Sequence, residues 1–234
     1  MKLSVVIPCY NEEKNIPLVL ARFSEVIRRE DIEIILVNNG STDGSATVLA
    51  RLLPHYPFAR TVWVEKNQGY GYGILQGLYA AQGDFLGWTH ADMQTDPNDV
   101  IQALAVLEQN GNQETMFVKG ARKGRSFVDN FFSIGMALFE TLYLGTILYE
   151  INAQPNIFSR CFFQSWQDAP HDFALDLYAL YMAKKQKLDV RRIAVRFPER
   201  LHGTSSWNTS WRAKRQFIKR TLEFSVNLKK RGIR

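Results

Sequence analysis

The sequence predicts an α/β fold, with a mostly parallel, doubly wound sheet and helices on both of its faces. Short apolar runs alternate along the first half of the chain with segments whose apolar residues recur at helical spacing. These runs are apolar at consecutive positions, which is typical of parallel strands buried on both faces. The 234 residues suffice for one sizeable domain or two small ones, but no linker-like or low-complexity stretch divides them.

Each element of the first half follows from this alternation. The predicted strands are residues 3–8, 32–38, 61–65 and 84–89. Helices are predicted from residue 16, over 41–53, over 72–81 and from residue 97. Ser41 or Thr42 is expected to cap the second helix, and Asp96 is the expected cap of the helix that Pro97 opens.

The second half is predicted to add three strands and three helical regions. The strands are residues 116–122, 156–160 and 190–197, and the helices lie near 131–150, 173–187 and 209–230. The apolar stretch 131–148 approaches the roughly 20-residue length that spans a bilayer, but Glu140 lies at its centre. We therefore predict a buried or membrane-interface helix there rather than a spanning one.

Charge is concentrated near the C-terminus. The net charge is +6, whereas residues 212–234 hold nine Lys and Arg against Glu223 alone, a net +8 that leaves −2 for residues 1–211. Such a segment suits a polyanion or an anionic membrane surface, although a solvated helix face has the same composition. Cys9 and Cys161 form neither a disulfide framework nor a zinc pattern, which fits a reducing compartment. The first apolar run is too short for a signal peptide.

The predicted strands end in polar loops, two of which contain glycine. Ligands of doubly wound sheets bind beyond the carboxyl ends of the strands, and those ends read "PCYNEE", "NNGSTDG", "KNQGYGYG" and "THADMQTD". A dinucleotide fingerprint would need glycines directly after the first strand, where none occurs, and there is no Walker A sequence. An NAD enzyme or a P-loop ATPase is therefore not expected.

An ordered set of motifs points to one family. The motifs are "VVIPCYNEEKNI" (5–16), "VNNGSTDGS" (37–45), "KNQGYGYGILQGLYAAQGD" (66–84), "HADMQTDP" (90–97), "VKGAR" (118–122) and "RLHGTSSW" (200–207). Together they resemble the family 2 glycosyltransferases of the GT-A fold, and most closely the dolichyl- and polyprenyl-phosphate sugar synthases. The resemblance covers nearly the whole chain. It implies one domain with a nucleotide-sugar half (1–122), an acceptor-side half (123–211) and a basic C-terminal helix (212–234).

The resemblance implies a metal site in the loop after the fourth strand. The family has Asp-Ala-Asp there, whereas this chain has His90-Ala91-Asp92, followed by Gln94. Alternate side chains at a strand end point to the same side, so His90, Asp92 and Gln94 are expected to ligate Mn²⁺ or Mg²⁺. Asp92 is the expected catalytic carboxylate, and His202 is a further candidate ligand. The alternative is a polar loop that only caps the next helix.

Nucleotide contacts are implied for the other strand ends. Pro8, Tyr10 and Glu12 match the family's base- and ribose-contacting positions, and Asn67 and Gly71 lie in a loop expected to approach the nucleotide. The glycines there also suit ordinary turns.

Asn39 replaces a family aspartate that contacts the base. An Asp accepts the two adjacent donors of guanine, whereas Asn matches the N–H and carbonyl of uracil or thymine. We therefore expect a UDP- or dTDP-sugar rather than a GDP-sugar. Asn38 and Asn39 also suit a turn ahead of Gly40.

The resemblance implies the acceptor side at several further positions. Asp172 resembles the base that activates a hydroxyl acceptor, with Asp176 as the second carboxylate of that stretch. A phosphate acceptor needs no base, and Asp172 would then only cap the next helix. Arg122 and Arg200, with His202, resemble positions that grip phosphate. Ser206 stands where the polyprenyl-phosphate synthases usually have Lys.

The expected protein is an inverting, metal-dependent glycosyltransferase that moves a sugar from a UDP- or dTDP-sugar to a lipid-linked acceptor. It is expected to be cytoplasmic, to associate peripherally with an anionic membrane surface and to bind no nucleic acid. The alternatives are a nucleotide-sugar-binding protein with little or no catalysis and a transferase acting on a soluble sugar. A nucleotidyltransferase would need a glycine-rich basic loop after the first strand, which is absent.

Overall fold

A computed structural model describes residues 2–109, 111–124, 127–198, 200, 202 and 211–230. The strands are β1 (Leu3–Cys9), β2 (Ile32–Asn39), β3 (Ala59–Val64), β4 (Phe85–Trp88), β5 (Met116–Lys123), β6 (Asn156–Ser159) and β7 (Asp189–Arg196). The helices are α1 (Ile16–Val26), α2 (Ser45–Leu52), α3 (Tyr70–Ala80), α4 (Pro97–Glu108), α5 (Phe127–Leu144), α6 (Arg160–Gln164), α7 (Leu175–Lys185) and α8 (Trp211–Lys230).

All seven strands form one sheet in the order β3-β2-β1-β4-β6-β5-β7. Strands β1 to β4 are parallel to one another, and β5 is parallel to β7. Among the strands that the structure describes, only β6 is antiparallel, and it joins the two parallel groups by pairing with both β4 and β5. The predicted mostly parallel sheet is therefore confirmed. The carboxyl ends of β1, β2 and β4 lie at the same edge, since Cys9 pairs with Asn38 and Val6 with Trp88.

Helices cover both faces of the sheet. One core contains the apolar sides of α1, α2 and α4, and the other contains those of α3, α6 and α7. The alternation of side chains along β1 supplies both cores, because Val5 and Ile7 face the first and Val6 faces the second. Leu228 of α8 also joins the second core.

The predicted start of the second helix is wrong. We expected residues 41–53 with Ser41 or Thr42 as the cap, but α2 begins at Ser45 behind Gly44. The backbone N–H groups of Thr42 and Gly44 donate to the side chains of Asn11 and Glu13 instead. These long-range hydrogen bonds hold residues 41–44 in a loop, so the helix begins only after them. The Asp96 cap of α4 is confirmed, because its carboxylate accepts from the N–H of Asn98.

Helices α5 and α8 lie against each other. Glu140 of α5 is buried, and Ser225 Oγ of α8 lies 2.7 Å from its Oε2. Apolar side chains on the other side of α5 and just beyond it are exposed, namely Ile134, Leu138, Phe139, Leu142 and Ile147. In the part of the chain that the structure describes, no helix is both long and apolar enough to cross a membrane.

Candidate active site

The loops after β1 and β2 hold each other in place. Asn11 N–H donates to Ser41 Oγ and Glu12 N–H donates to Ser45 Oγ, at 3.1 and 2.9 Å. In return the Asn11 and Glu13 side chains accept from the second loop. The rim of the candidate nucleotide site is thus built by side-chain to backbone bonds between two loops that are distant in sequence.

The two asparagines at the end of β2 have different surroundings. Asn38 Oδ1 accepts from the N–H of Ser41. Asn38 therefore stabilises the turn around Gly40, which was the alternative to a nucleotide contact. Asn39 Nδ2 donates to the carbonyl of Gly69 at 2.9 Å, which ties β2 to the start of α3. Asn39 Oδ1 is buried and has no hydrogen-bond partner within the described ranges. The described residues therefore leave one hydrogen-bond acceptor of Asn39 unsatisfied.

Arg200 joins the oxygens of the predicted metal loop. Its Nη2 lies 2.8 Å from Asp92 Oδ2, and its Nε donates to Gln94 Oε1 at 2.9 Å. Asp92 is buried, and its Oδ1 accepts from the N–H of Gln94. The two predicted ligand oxygens therefore converge on one positive charge.

These oxygens fit a divalent cation only in part. A carboxylate and an amide oxygen are suitable hard donors, and Mg²⁺ often binds one or two carboxylates together with substrate phosphates. Among the described residues, no group of three or more His, Cys, Asp and Glu side chains is arranged to hold a metal ion. If a cation bound here, the two oxygens would supply only part of its coordination shell, and a bound diphosphate would have to complete it.

His90 lies beside an aromatic pair. Its ring centroid is 5.9 Å from that of Tyr70, and Tyr70 stacks on Phe173 at 4.8 Å with nearly parallel rings. The metal loop and the segment that carries Asp172 therefore meet at Tyr70. Burial, with Asp176 and then Asp92 nearby, raises the pKa of the Tyr70 hydroxyl.

The start of α3 is packed tightly against residues 170–172. A Cβ on Gly69 would lie 2.4 Å from the His171 carbonyl oxygen, and one on Gly71 would lie 2.5 Å from that of Pro170. Tyr72 N–H donates to the His171 carbonyl. These glycines are explained by contact within the chain, and a nucleotide contact of Gly71 stays a prediction.

The acidic residues of the site have distinct environments. Burial raises the pKa of Glu12, while the 2.6 Å hydrogen bond from Asn15 Nδ2 lowers it. Asp172 Oδ1 accepts from the N–H of Ala174 in a turn just before α7, so its side chain serves the start of that helix. Asp176 is buried, and its Oδ1 accepts three hydrogen bonds.

Arg122 is engaged within the chain. Its side chain is 8% exposed, and Nε lies 2.7 Å from Oε2 of Glu150. Its guanidinium also lies over the ring of Phe197. Both predicted phosphate-binding arginines, Arg122 and Arg200, are therefore paired with carboxylates here.

The remaining predicted site residues are less closely connected. Tyr10 is exposed at the rim, and Pro8 lies near the end of β1. Asn67 Oδ1 accepts from the N–H of Gly69 and shapes that turn. His202 is exposed, and its role as a ligand stays a prediction. Ser206 lies outside the described residues.

Sequence reasoning missed three residues near the site. Tyr70 was not distinguished from its glycine-rich surroundings, and Glu150 lies in a loop without a motif. Lys119 was counted only as part of a strand, although it is fully buried. A lysine inside the apolar run "MFVKGAR" was the available signal.

An α/β sheet with polar loops at one edge places the chain in the class of doubly wound proteins, whose ligands, often nucleotides, bind at that edge. Within that class, the model of the family described as "Glycosyl transferase family 2" matches residues 4–166. The chain belongs to glycosyl transferase family 2.

Two curated relatives illustrate the match. The chain is 32% identical over 135 residues to the undecaprenyl-phosphate 4-deoxy-4-formamido-L-arabinose transferase of Photorhabdus laumondii, covering 52% of this chain and 41% of that protein. It is 24% identical over 224 residues to the dolichyl-phosphate beta-glucosyltransferase of Dictyostelium discoideum, covering 84% of this chain and 66% of that protein. The chain thus spans less than half the length of the first relative.

Among solved structures, the fold is similar to that of glucosyl-3-phosphoglycerate synthase from Mycobacterium tuberculosis. The TM-score is 0.73 at 21% identity, over 96% of this chain and 79% of that one. That enzyme was crystallised with Mn²⁺, UDP and glucosyl-3-phosphoglycerate, and also with Mg²⁺ and UDP. The predicted GT-A type of fold is confirmed.

Proposed function

We propose that the protein transfers a sugar from a UDP- or dTDP-sugar to a lipid-linked phosphate acceptor, with inversion at the anomeric carbon. The observation that carries this proposal is the convergence of Asp92 and Gln94 on one positive charge. The names of both curated relatives contain a polyprenyl phosphate, which supports the choice of acceptor.

Donor binding is assigned to the loops after β1, β2 and β4. The buried, unpaired Oδ1 of Asn39 would accept the ring N–H of uracil or thymine, while its Nδ2 remains on Gly69. Asp92 and Gln94 would hold Mn²⁺ or Mg²⁺. A divalent cation held there would offset the charge that develops on the departing diphosphate.

In the transfer itself, an acceptor oxygen bonds to the anomeric carbon while the bond from that carbon to the diphosphate oxygen breaks. The electron pair of the broken bond leaves with UDP or dTDP. An acceptor phosphate is already anionic and needs no base. Asp172 would then act only at the start of α7, through its bond from Ala174.

A hydroxyl acceptor is the second candidate, favoured by one observation. Glu150 neutralises Arg122, which weakens a phosphate grip at that position. Transfer to a hydroxyl requires a base, and Asp172 would take that proton. The lipid-linked acceptor could in that case be a glycan rather than a bare phosphate.

Membrane association is proposed through the pair of helices α5 and α8. Ile134, Leu138 and Leu142 recur at helical spacing on an exposed side of α5. Lys229 and Lys230 are exposed at the end of α8, and Lys229 Nζ donates to the Tyr143 carbonyl at 2.7 Å, so the basic helix adjoins the apolar side. Apolar and basic side chains together suit the headgroup region of an anionic, cytoplasmic membrane surface.

The proposal is tested by following nucleotide release and lipid-product formation. Purified protein with Mn²⁺ would be given UDP-glucose, other UDP-sugars and dTDP-sugars, each with a short polyprenyl phosphate or a lipid-linked glycan. If the sugar is transferred to the polyprenyl phosphate and Asp172→Asn keeps this activity, the phosphate acceptor is supported. If the sugar is transferred to the glycan and Asp172→Asn abolishes this activity, the hydroxyl acceptor is supported. Tight UDP binding without transfer to either acceptor leaves a nucleotide-sugar-binding protein.

A further inference from the structure

A buried polar cluster lies beneath the candidate site. It consists of Trp88 at the end of β4, Lys119 of β5, Gln154 just before β6, Asn156 at the start of β6, and Asp176 of α7. All five residues are buried. Polar groups at such depth must be hydrogen-bonded to be tolerated, and charges must also be compensated.

The amide of Asn156 connects the two charged members. Lys119 Nζ donates to Asn156 Oδ1 and to the Ala153 carbonyl, both at 2.7 Å. Asn156 Nδ2 donates to Asp176 Oδ1 at 3.2 Å and to Gln154 Oε1 at 2.6 Å. A flipped amide would turn its NH₂ toward the ammonium and its oxygen toward the carboxylate. The orientation of Asn156 is therefore fixed by the charges on either side.

Asp176 receives the remaining donors. Gln154 Nε2 donates to its Oδ1 at 2.8 Å, and Trp88 Nε1 donates at 3.3 Å. Burial lowers the pKa of Lys119 to about 7, and the nearby Asp176 acts in the opposite direction. Each charge thus makes the other less costly to bury.

The cluster touches the elements that carry the reacting groups. Trp88 lies two positions before His90, at the start of the metal loop. Gln154 Nε2 also lies 3.4 Å from the Tyr70 hydroxyl, and the Tyr70 ring contacts both His90 and Phe173. Asp176 itself lies in the first turn of α7, directly after the segment with Asp172.

We propose that Lys119 and Asp176 form a buried charge pair, bridged by Asn156, that positions the metal loop and residues 170–173 for sugar transfer. Asp176 is then a positioning residue, acting through Trp88 and Tyr70, and not the base. This inference rests on the proposed transfer reaction. It excludes Asp176 as an alternative to Asp172 for proton removal.

The first test is Asp176→Asn, which keeps the shape of the side chain and removes its charge. Misplacement of reacting groups costs up to roughly 100-fold in rate, so we expect kcat to fall by roughly 10- to 100-fold. Within the described ranges, no hydrogen bond joins the loops after β1 and β2 to the cluster. UDP affinity measured without added metal should therefore change by less than about threefold.

The matched control is Glu33→Gln, on the β2 end away from the site. Glu33 is also a buried carboxylate, and it is bonded by Ser4, Arg60 and Gln82. We expect Glu33→Gln to lower the unfolding temperature without lowering kcat per folded molecule. Equal kcat losses in Asp176→Asn and Glu33→Gln would overturn the positioning role.

The charge pair is tested separately by a double variant. Lys119→Met and Asp176→Asn each leave one buried charge without its counter-charge, whereas the double variant leaves none. The double variant should therefore have a higher unfolding temperature than either single variant. A double variant less stable than both would contradict the pair.

Two further measurements keep the inference open to refutation. If Asp176→Asn does not fold, Trp88→Phe removes one hydrogen-bond donor to Asp176 while keeping an aromatic ring, and it should also lower kcat.

If the wild-type protein transfers no sugar, the proposed function fails on its own. The readout is then the gain in UDP affinity on adding Mn²⁺, which Asp176→Asn should reduce and Glu33→Gln should not. An unchanged gain in Asp176→Asn would refute positioning.

Discussion

The guanidinium of Arg200 forms an ion pair with the carboxylate of Asp92, with Nη2 2.8 Å from Oδ2. Arg200 also donates to Gln94, so one side chain satisfies both predicted ligand oxygens. Two like charges in one small space repel. A divalent cation bound to Asp92 would therefore displace the guanidinium, which would then be free to face the phosphates of the donor.

Asp92→Ala should abolish the metal-dependent part of nucleotide binding. It removes the carboxylate that converges with Gln94, and the other carboxylate of this loop, Asp96, is occupied in capping α4. We expect UDP to bind Asp92→Ala equally with and without Mn²⁺, and turnover to be lost. Isothermal calorimetry with UDP measures this, and the same gain from Mn²⁺ as in the wild type would refute the assignment.

The control for that measurement is Asp96→Asn in the same loop. Asp96 caps α4 and pairs with Arg22 at the surface. Asn is as good an N-cap as Asp, so this variant should keep both the fold and the response to Mn²⁺.

Arg200→Met should separate metal binding from nucleotide binding. Without the guanidinium, Asp92 loses its counter-charge, so Mn²⁺ alone should bind more tightly than to the wild type. Nucleotide-sugar turnover should fall, because the phosphates lose a bidentate donor. Electron paramagnetic resonance of free Mn²⁺ reports the first effect and nucleotide release the second. Weaker Mn²⁺ binding by Arg200→Met would contradict the competition.

Asn39 should set the preference for the base. Its Nδ2 is taken by the Gly69 carbonyl, and only Oδ1 remains unpaired in the described structure. One acceptor satisfies the single N–H of uracil or thymine but would leave one of the two adjacent donors of guanine unpaired, so UDP and dTDP should bind more tightly than GDP. Calorimetry with the three nucleotides ranks them, and tightest binding of GDP would show the hydrogen-bond argument to be wrong.

Asn39→Asp should not convert the preference to GDP. The new carboxylate oxygen would face the Gly69 carbonyl, where Nδ2 now donates. Weaker binding of all three nucleotides is expected.

Asp99 should make the unfolding free energy depend on pH. It is 7% exposed in α4, and burial, followed by the charge of Asp96, raises its pKa to about 6. Between about pH 4 and pH 6 the folded chain holds this proton more tightly than the unfolded chain, so stability falls as pH rises through that window. Asp99→Asn should remove this decrease and raise the free energy of unfolding by roughly 1–2 kcal/mol at pH 7.

Urea unfolding at pH 4, 5.5 and 7 measures that effect, with Asp31→Asn as the contrast. The hydrogen bonds from Arg29 lower the pKa of Asp31, so its contribution has the opposite sign. Its stabilisation is present above the unfolded pKa and is lost as pH falls through the folded pKa. No pH-dependent difference between Asp99→Asn and the wild type would contradict the prediction for Asp99.

Binding to vesicles should require both the exposed apolar side of α5 and the basic end of α8. A basic residue near an anionic membrane contributes about 1 kcal/mol, so Lys229→Gln/Lys230→Gln should weaken flotation with anionic vesicles. Leu138→Ser/Leu142→Ser should weaken it too, by removing apolar contact. Wild-type binding should also fall with added salt.

Lys184→Gln/Lys185→Gln is the control, because it removes two adjacent basic residues at the end of another helix, α7. It should float like the wild type. If the wild-type protein does not bind anionic vesicles at low salt, the proposed membrane contact is wrong and α8 is only a structural helix.

Much of the fold was predictable because its signals are local. Strands β1 to β4 come from apolar runs, and the cap at Asp96 is predicted from the residues beside it. The start of α2 was not predictable, because Asn11 and Glu13 bond to Thr42 and Gly44 across about thirty positions. Helix α6 is only five residues long, too short to show a helical period.

The site was predictable as a set of loops but not as a set of contacts. Alternation placed Asp92 and Gln94 on one side of the chain, and the structure brings their oxygens together. The partner of both is Arg200, 106 positions beyond Gln94. Lys119 was missed because its strand pattern gives no sign of a distant partner. The carboxylate that compensates its charge, Asp176, lies on α7.

The strand order has a consequence for synthesis on the ribosome. Strand β5 pairs only with β6 and β7, both of which follow it in the chain. A nascent chain that has not yet emerged as far as β6 therefore presents an apolar β5 without a partner, beside the open edge of β4. Open apolar edges recruit other chains. Chaperones that hold the chain until Asn156–Ser159 emerges would therefore protect the edges of β4 and β5 that β6 later covers.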